Sequence, residues 1–191
     1  MLRGSSYLVA TALGLIIVTG AASGCAGSSE KSFKAHGVSF RYPKSWETTT
    51  FTGNNAQNAS GIWTEAFKPR SSSSNADVIF ISEYQTPVAI TKRNLAIYSD
   101  EVASSVSEVA KQAGGSLLAG PSEVTMGGLP GYAFRISATT RDNLSSESRI
   151  LLVWSGKLEY YLNCQHDRSG SYAAEVERGC RKIVGSFKLS R

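Results

Sequence analysis

Residues 146–165, SESRILLVWSGKLEYYLNCQ, decide the fold of this chain. They hold two strand candidates, Ser146 to Trp154 and Leu158 to Gln165, with Ser155-Gly156 between them. A Ser-Gly pair joining two such runs is a tight hairpin signal, so the two are expected to be antiparallel neighbours. Two further candidates, Ser116 to Thr125 and Tyr132 to Thr140, lie just upstream with no helix between. Nearer the N-terminus, Val38, Phe40 and Tyr42 alternate with Ser39 and Arg41 until Pro43 ends the pattern. Gly61 to Phe67 and Asp77 to Ser82 read as the second and third strands. Only two segments carry helical spacing. From about Lys92 to Ala113, Leu95, Tyr98, Val102, Val106, Val109 and Ala113 recur every three or four residues until Gly114-Gly115. From about Tyr172 to Val184, Tyr172, Val176, Cys180 and Ile183 do the same. Runs of strands with two separated helices predict an α+β fold, an antiparallel sheet covered by helices, and not a parallel βαβ array.

Two of the three cysteines fall on the elements just described. Leu158, Tyr160, Leu162 and Cys164 share one face of the last long strand, because side chains alternate along a strand. Cys180 lies on the apolar stripe of the following helix. Both face the contact between strand and helix, so a Cys164–Cys180 disulfide is expected. It closes a loop of about 16 residues, which the chain-entropy model values at about 3 kcal/mol. Such a bridge suits an exported chain, for which the compartment is oxidising.

The third cysteine follows a different pattern. Met1 to Ser6 carry one basic residue, Arg3, and no acid; an apolar stretch runs from about Tyr7 to Val18; small residues then lead to Ala22-Ser23-Gly24-Cys25. Basic end, apolar middle and small-residue exit make a secretory signal peptide. The apolar stretch is shorter than the roughly 20 residues that span a bilayer as a helix. Ser23-Gly24-Cys25 resembles the lipobox of bacterial lipoproteins, with Ala22 in place of the usual Leu. That resemblance implies cleavage after Gly24 and acylation of Cys25, so the mature protein is held at the extracytoplasmic face of the cell membrane by diacylglyceryl and palmitate-type chains. Two or more chains anchor stably where one does not. The expected organisation is a signal peptide over 1–24, a lipidated N-terminus and small polar tether over 25–32, and one folded domain over 33–191.

Removal of 24 residues leaves 167, enough for one sizeable core. Net charge is +5, one unit of which leaves with Arg3. The basic residues are scattered singly or in short pairs among acids, which excludes the clustered footprint of a nucleic-acid binder. Weak attraction to anionic headgroups fits such a charge better than nucleic acid does, and a merely solvated surface fits it better still.

No catalytic constellation stands out. His36 and His166 are the only histidines, and His166-Asp167 alone is too few ligands for a metal site. There is no Gly-x-Ser-x-Gly elbow, and no lysine or helix start follows Gly127-Gly128-Leu129-Pro130-Gly131 as a phosphate loop requires. Glu147 and Glu159 lie on the two arms of the hairpin, where the register decides whether they meet. Trp46, Trp63, Tyr84, Trp154, Tyr160 and Tyr161 could line an apolar pocket, although aromatic side chains of this kind serve first as core. No metal, no cofactor and no catalytic residue is expected.

Gly37-Val38-Ser39-Phe40-Arg41-Tyr42-Pro43-Lys44-Ser45-Trp46 resembles the opening of PsbP-like domains, with a glycine, an alternating strand and Tyr-Pro-x-x-Trp. Gly131-Tyr132-Ala133-Phe134 and the close Ile183-Val184-Gly185-Ser186-Phe187 are similar to the same family, over about Phe33 to Leu189. The resemblance implies an α/β/α sandwich with an antiparallel sheet of about six to seven strands, related to the photosystem extrinsic protein PsbP and the Mog Ran-binding proteins. It also implies a binding or assembly role without catalysis, as in actinobacterial envelope lipoproteins that carry such domains. The expected protein is therefore a non-catalytic, membrane-anchored docking factor for another envelope component, or alternatively a carrier of lipid or a small hydrophobic ligand. Its expected partners are the membrane, through the lipid anchor, and an envelope protein or lipid.

Overall fold

The computed structural model describes residues 29–49, 61–139 and 143–190, with side chains from 63 onward in the second segment. Cys25, the signal segment and the start of the tether lie outside the described residues, as does the loop around Asn54-Asn55.

The element order is β1 (Glu30–Ala35), β2 (Val38–Pro43), β3 (Trp46–Thr49), β4 (Gly61–Pro69), β5 (Val78–Ile90), a 3₁₀ turn (Leu95–Tyr98), α1 (Ser99–Gln112), β6 (Ser116–Met126), β7 (Leu129–Thr139), β8 (Ser145–Asp167), α2 (Ala173–Ser186) and β9 (Lys188–Leu189). A large antiparallel sheet runs β3-β4-β5-β8-β7-β6, and a small one runs β1-β2-β9. The expected α+β class and antiparallel sheet with helices on its faces are what the chain adopts.

β8 is the hub of the large sheet, and it folds back on itself. Its 23 residues would span about 75 Å if straight. Instead the Arg168 amide donates to the Ser145 carbonyl at 2.9 Å, closing its two ends together. Trp154 Nε1 likewise reaches Glu159 Oε2 at 3.0 Å. Both pairs are centred on the Gly156–Lys157 bond, so the hairpin expected at Ser155-Gly156 turns one residue later. Gly156 takes φ 64°, a left-handed conformation open to glycine. One arm pairs with β7 from Gly131↔Val153 to Thr139↔Ser145, and the other with β5 from Val78↔Gln165 to Gln85↔Leu158. β8 thus occupies two adjacent lanes.

Both faces of this hairpin are covered. Leu151, Val153, Tyr160, Leu162 and Cys164 point into a cluster with Val176, Cys180 and Ile183 of α2 and Val38 and Phe40 of β2. Ile150, Leu152 and Trp154 point into the other cluster, with Val106 and Ala110 of α1. Burial on both sides explains why residues 150–154 are continuously apolar and do not alternate. Cys164 and Cys180 are disulfide-bonded, with Cα atoms 5.9 Å apart, as their shared facing required.

Four expectations are corrected. β1 begins at Glu30, so Glu30–Ser32 belong to a strand in register with Arg41–Pro43 and not to the tether. β3 was hidden because Trp46–Thr49 is only four residues long. The helix expected from Lys92 begins later, because the Asn94 side chain accepts from the Thr91 amide at 2.7 Å and donates to Ala89 O, holding a turn there. The segment Arg70 to Asn75, whose run of serines reads as a polar, mobile loop, is pinned instead. Ser72 Oγ donates to Asp77 Oδ2 at 2.7 Å, Asp77 Oδ1 accepts the Asp167 amide at 2.9 Å, and Ser72 and Asp77 are buried.

α2 is seated on Trp46, which is fully buried and donates Nε1 to Glu175 at 2.9 Å. A Cβ at Gly179 would lie 2.3 Å from the Trp46 ring. Gly179→Ala is therefore expected to destabilise the domain by about 1–3 kcal/mol through overpacking, read as a lower denaturant midpoint. Replacing both Cys164 and Cys180 by Ala is expected to cost about 3 kcal/mol through the freed loop; an unchanged midpoint after either replacement would contradict the packing described.

Candidate functional site

The β1–β2 turn carries the most notable exposed cluster of rings and ionisable groups among the described residues. His36 and Gly37 adopt φ 52° and 72°, and the two successive left-handed residues turn β1 tightly into β2. This projects the His36 ring onto Trp63 of β4, with centroids 4.8 Å apart and planes 14° off parallel. Phe33 also stacks on the His36 ring, with centroids 6.3 Å apart, and itself lies on Phe40 at 4.8 Å. His36 Nε2 is 3.3 Å from Glu65 Oε1, and Trp63 Nε1 donates to Glu83 Oε2 at 3.2 Å. Trp63, Glu65 and Phe67 share one face of β4, so a carboxylate sits between two rings of the core side. Glu83 continues the face of Ile79 and Ile81 in the same way and is itself buried. Neither acid was singled out from sequence, yet an acid in register with apolar neighbours on a strand is a legible signal. The ladder of Phe33, His36 and Trp63 thus reaches the surface at His36, with Glu65 beside it and Glu83 buried behind it.

The opposite face of the large sheet holds a second group. The half-buried Glu159 accepts from Trp154, and Tyr161 meets Tyr84 edge to face at 6.3 Å. Burial holds the Glu159 carboxyl above its ordinary range, against the lowering effect of the Trp154 hydrogen bond. Burial also pushes the Tyr161 phenol up, with Tyr84 adding to the effect.

The residues read from sequence as candidates are thus divided. Trp46, Trp63 and Tyr160 lie with the α2 cluster, whereas Trp154 and Tyr161 lie with the α1 cluster. The sheet stands between them, so the six aromatics do not line one pocket. Glu147 pairs with Arg135, and Glu159 with Trp154 on the other face, so the two carboxylates do not meet. His166 Nδ1 lies 3.2 Å from the carbonyl of Asp167 at the end of β8 in the large sheet, whereas His36 turns two strands of the small one. The Asp167 carboxyl is held below its ordinary range by the Ser169 hydroxyl and amide, which both donate to it. Among the described residues no group of three or more His, Cys, Asp or Glu is placed to hold a metal ion. No helix among them is long and apolar enough to cross a membrane.

A family profile described as "PsbP-like protein" matches residues 24–189. Among solved structures, the chain is similar to cyanobacterial PsbP (CyanoP) from Synechocystis, with a TM-score of 0.60, 12% identity, and coverage of 90% of this chain and 98% of that one. It is also similar to LpqN, described as involved in cell envelope biogenesis of Mycobacterium tuberculosis, with a TM-score of 0.55, 12% identity, and coverage of 85% and 91%. A Bacteroides thetaiotaomicron protein matches with a TM-score of 0.54 and 13% identity over 85% of this chain, which spans about half (49%) of that protein's length. At these identities the likeness is one of fold. None of the curated proteins matches the sequence.

Glu159 offers a direct test of the second cluster. Its folded-state pKa is raised above the ordinary value of 4.5, so the native state binds this proton more tightly than the unfolded state does. That contribution is fully present below 4.5 and is lost as pH rises through the raised value. Glu159→Gln keeps an acceptor for Trp154 and removes the charge. It is expected to raise the denaturation midpoint at neutral pH and to lose that advantage in acid; an advantage equal at both pH values would contradict the burial of the carboxyl.

Proposed function

The chain belongs to the PsbP-like protein family, and on that premise we propose that it is a non-catalytic envelope lipoprotein, anchored through Cys25, that docks on another envelope component. The observation that carries this reading is the nearness of a folded, disulfide-closed domain to a lipobox-like cysteine. β1 starts at Glu30, five residues after Cys25. A disulfide between Cys164 and Cys180 suits an exported chain, and it leaves Cys25 as the one cysteine without a partner in the sequence. The mycobacterial relative in fold is described as taking part in envelope biogenesis, which supports the same compartment for this chain.

Docking is favoured over carriage by the use made of the aromatic residues. Trp46, Trp154 and Tyr160 are spent as core, on two faces of one sheet. The ladder at His36 offers one exposed and two half-exposed rings beside the half-exposed Glu65 carboxylate, features suited to a protein surface or a polar partner. A carrier would instead need those rings gathered about one apolar cavity.

Anchoring is tested by growing cells on a labelled fatty acid. The natural chain is expected to incorporate the label and Cys25→Ser to lose it completely; a natural chain without label would refute the anchor. Crosslinking in the intact envelope, followed by native mass spectrometry of the extracted protein, separates the two roles. A defined protein adduct supports docking, and a stoichiometric co-purified lipid without an adduct supports the carrier.

A further inference from the structure

From the placement of charge about β1, we propose that the edge formed by Lys31, Arg41, Lys44 and Lys182 lies against the anionic headgroups of the membrane and fixes the orientation of the domain. This rests on the acylation of Cys25 proposed above. Four Cα steps separate Cys25 from Ser29, and a fully extended chain gains about 3.5 Å per residue. Ser29 therefore lies within about 14 Å of the acylated cysteine, whatever path the chain takes.

The groups bound to that end of β1 are basic. The Lys44 amide donates to the Ser29 carbonyl at 2.9 Å, and the Lys44 side chain is exposed. Glu30 pairs with Arg41 at 3.1 Å and also with Lys182 of α2, so one carboxylate is shared between two cations. Lys31 follows in the strand and donates to the Trp46 carbonyl at 3.0 Å. Two further acids border this edge: Glu175 is engaged by the Trp46 indole at 2.9 Å, and Glu47, next to Trp46, pairs with Arg70 at 3.7 Å. With Arg70 counted, five cations face three carboxylates, and the surplus is positive.

Distance gives this surplus its effect. The potential of an anionic surface decays over about 8 Å at physiological ionic strength. A long tether would hold the domain outside that range, where its charge distribution would be irrelevant. Here the anchor keeps Ser29, at the start of the edge, within about 14 Å of the acylated cysteine, less than two such lengths, so the edge can enter that range. Acyl chains supply the affinity, and the cations select one of the ways in which a tethered domain can rest. Each cation lost is expected to shift the ratio of docked to undocked domains about fivefold.

The test uses the full lipidated chain, reconstituted in vesicles of phosphatidylcholine alone or mixed with phosphatidylglycerol, and an amine-reactive reagent read by peptide mass spectrometry. Intact mass first establishes whether Cys25 is acylated. With acylation present, Lys31 and Lys44 are expected to be protected in the anionic vesicles and not in the neutral ones, with high salt removing the protection. Lys157, at the β8 turn, serves as reference and is expected to react equally in both. Lys44→Glu, at an exposed position, is expected to reduce the protection of Lys31. Equal modification of Lys31 and Lys44 in both vesicles, on an acylated chain, overturns the orientation while leaving the anchor intact. An unacylated Cys25 overturns the anchor and the orientation with it.

Discussion

The structure depends on the β8 hairpin being buried on both faces. Antiparallel pairing gives it β5 on one edge and β7 on the other, so the two halves of the large sheet meet only through it. An antiparallel hairpin with one wet face would alternate apolar and polar residues. Residues 150–154 instead supply side chains to both clusters, and each helix then has a layer to cover. Without α1 or α2, one row of these side chains would return to water at about 25 cal/mol for every Å² exposed. The helices are therefore consequences of the hairpin's composition as much as of their own periodicity.

The disulfide and Trp46 act on the same layer from different directions. Cys164 is on the arm of β8 that pairs with β5 and Cys180 at the middle of α2, so the bridge fixes the helix at its centre. Trp46 lies beneath the glycine next to it, where any side chain on residue 179 would collide with the ring. Glu175, one turn earlier, accepts from the indole nitrogen. Ser186, at the other end of the helix, accepts the Arg41 amide at 2.8 Å and so ties α2 to β2. The small β1-β2-β9 sheet is thereby held to the large one through a helix, as well as through the contacts of Phe33 and Phe40 with Phe67.

Elements with strong periodicity or strong punctuation were legible in the sequence. The alternation of Val38, Phe40 and Tyr42, the stripe of α2 and the Cys164–Cys180 facing all follow from side-chain geometry that local sequence determines. What escaped was set by contacts between distant segments. Glu30–Ser32 has the composition of a tether and becomes a strand because β2 offers it a partner and Arg41 and Lys182 engage Glu30. The serine loop after Arg70 is polar for the reason loops are polar, yet Asp77 and Asp167 recruit Ser72, Ser74 and Ser169 into a network that runs from the buried Ser72 and Asp77 to the surface. The division of the aromatics between two faces needed the register of the large sheet, because a shift of one residue exchanges the faces. The His36 ladder was missed for a similar reason. His36 and Trp63 are 27 positions apart, and only the pairing of sheets brings the rings together.

β1 then joins two features that the sequence leaves unrelated. Its first residue is ion-paired at the edge nearest Cys25, and the turn that follows its last residue presents His36 to Trp63. Six residues of extended chain span about 20 Å. Every one of the six is in register with β2, from Glu30↔Pro43 to Ala35↔Val38. A strand held along its whole length transmits position, whereas a loose leader of the same length would not. In the anchored protein proposed here, whatever holds Glu30 toward the membrane therefore also sets where the His36 ladder stands, about a strand's length away along the domain. The ladder's stacking with Trp63 and contact with Glu65 fasten the far end of that strand to the large sheet. Anchor and exposed surface are then two ends of one rigid element, and a partner meeting the ladder would find it at a fixed distance from the basic edge.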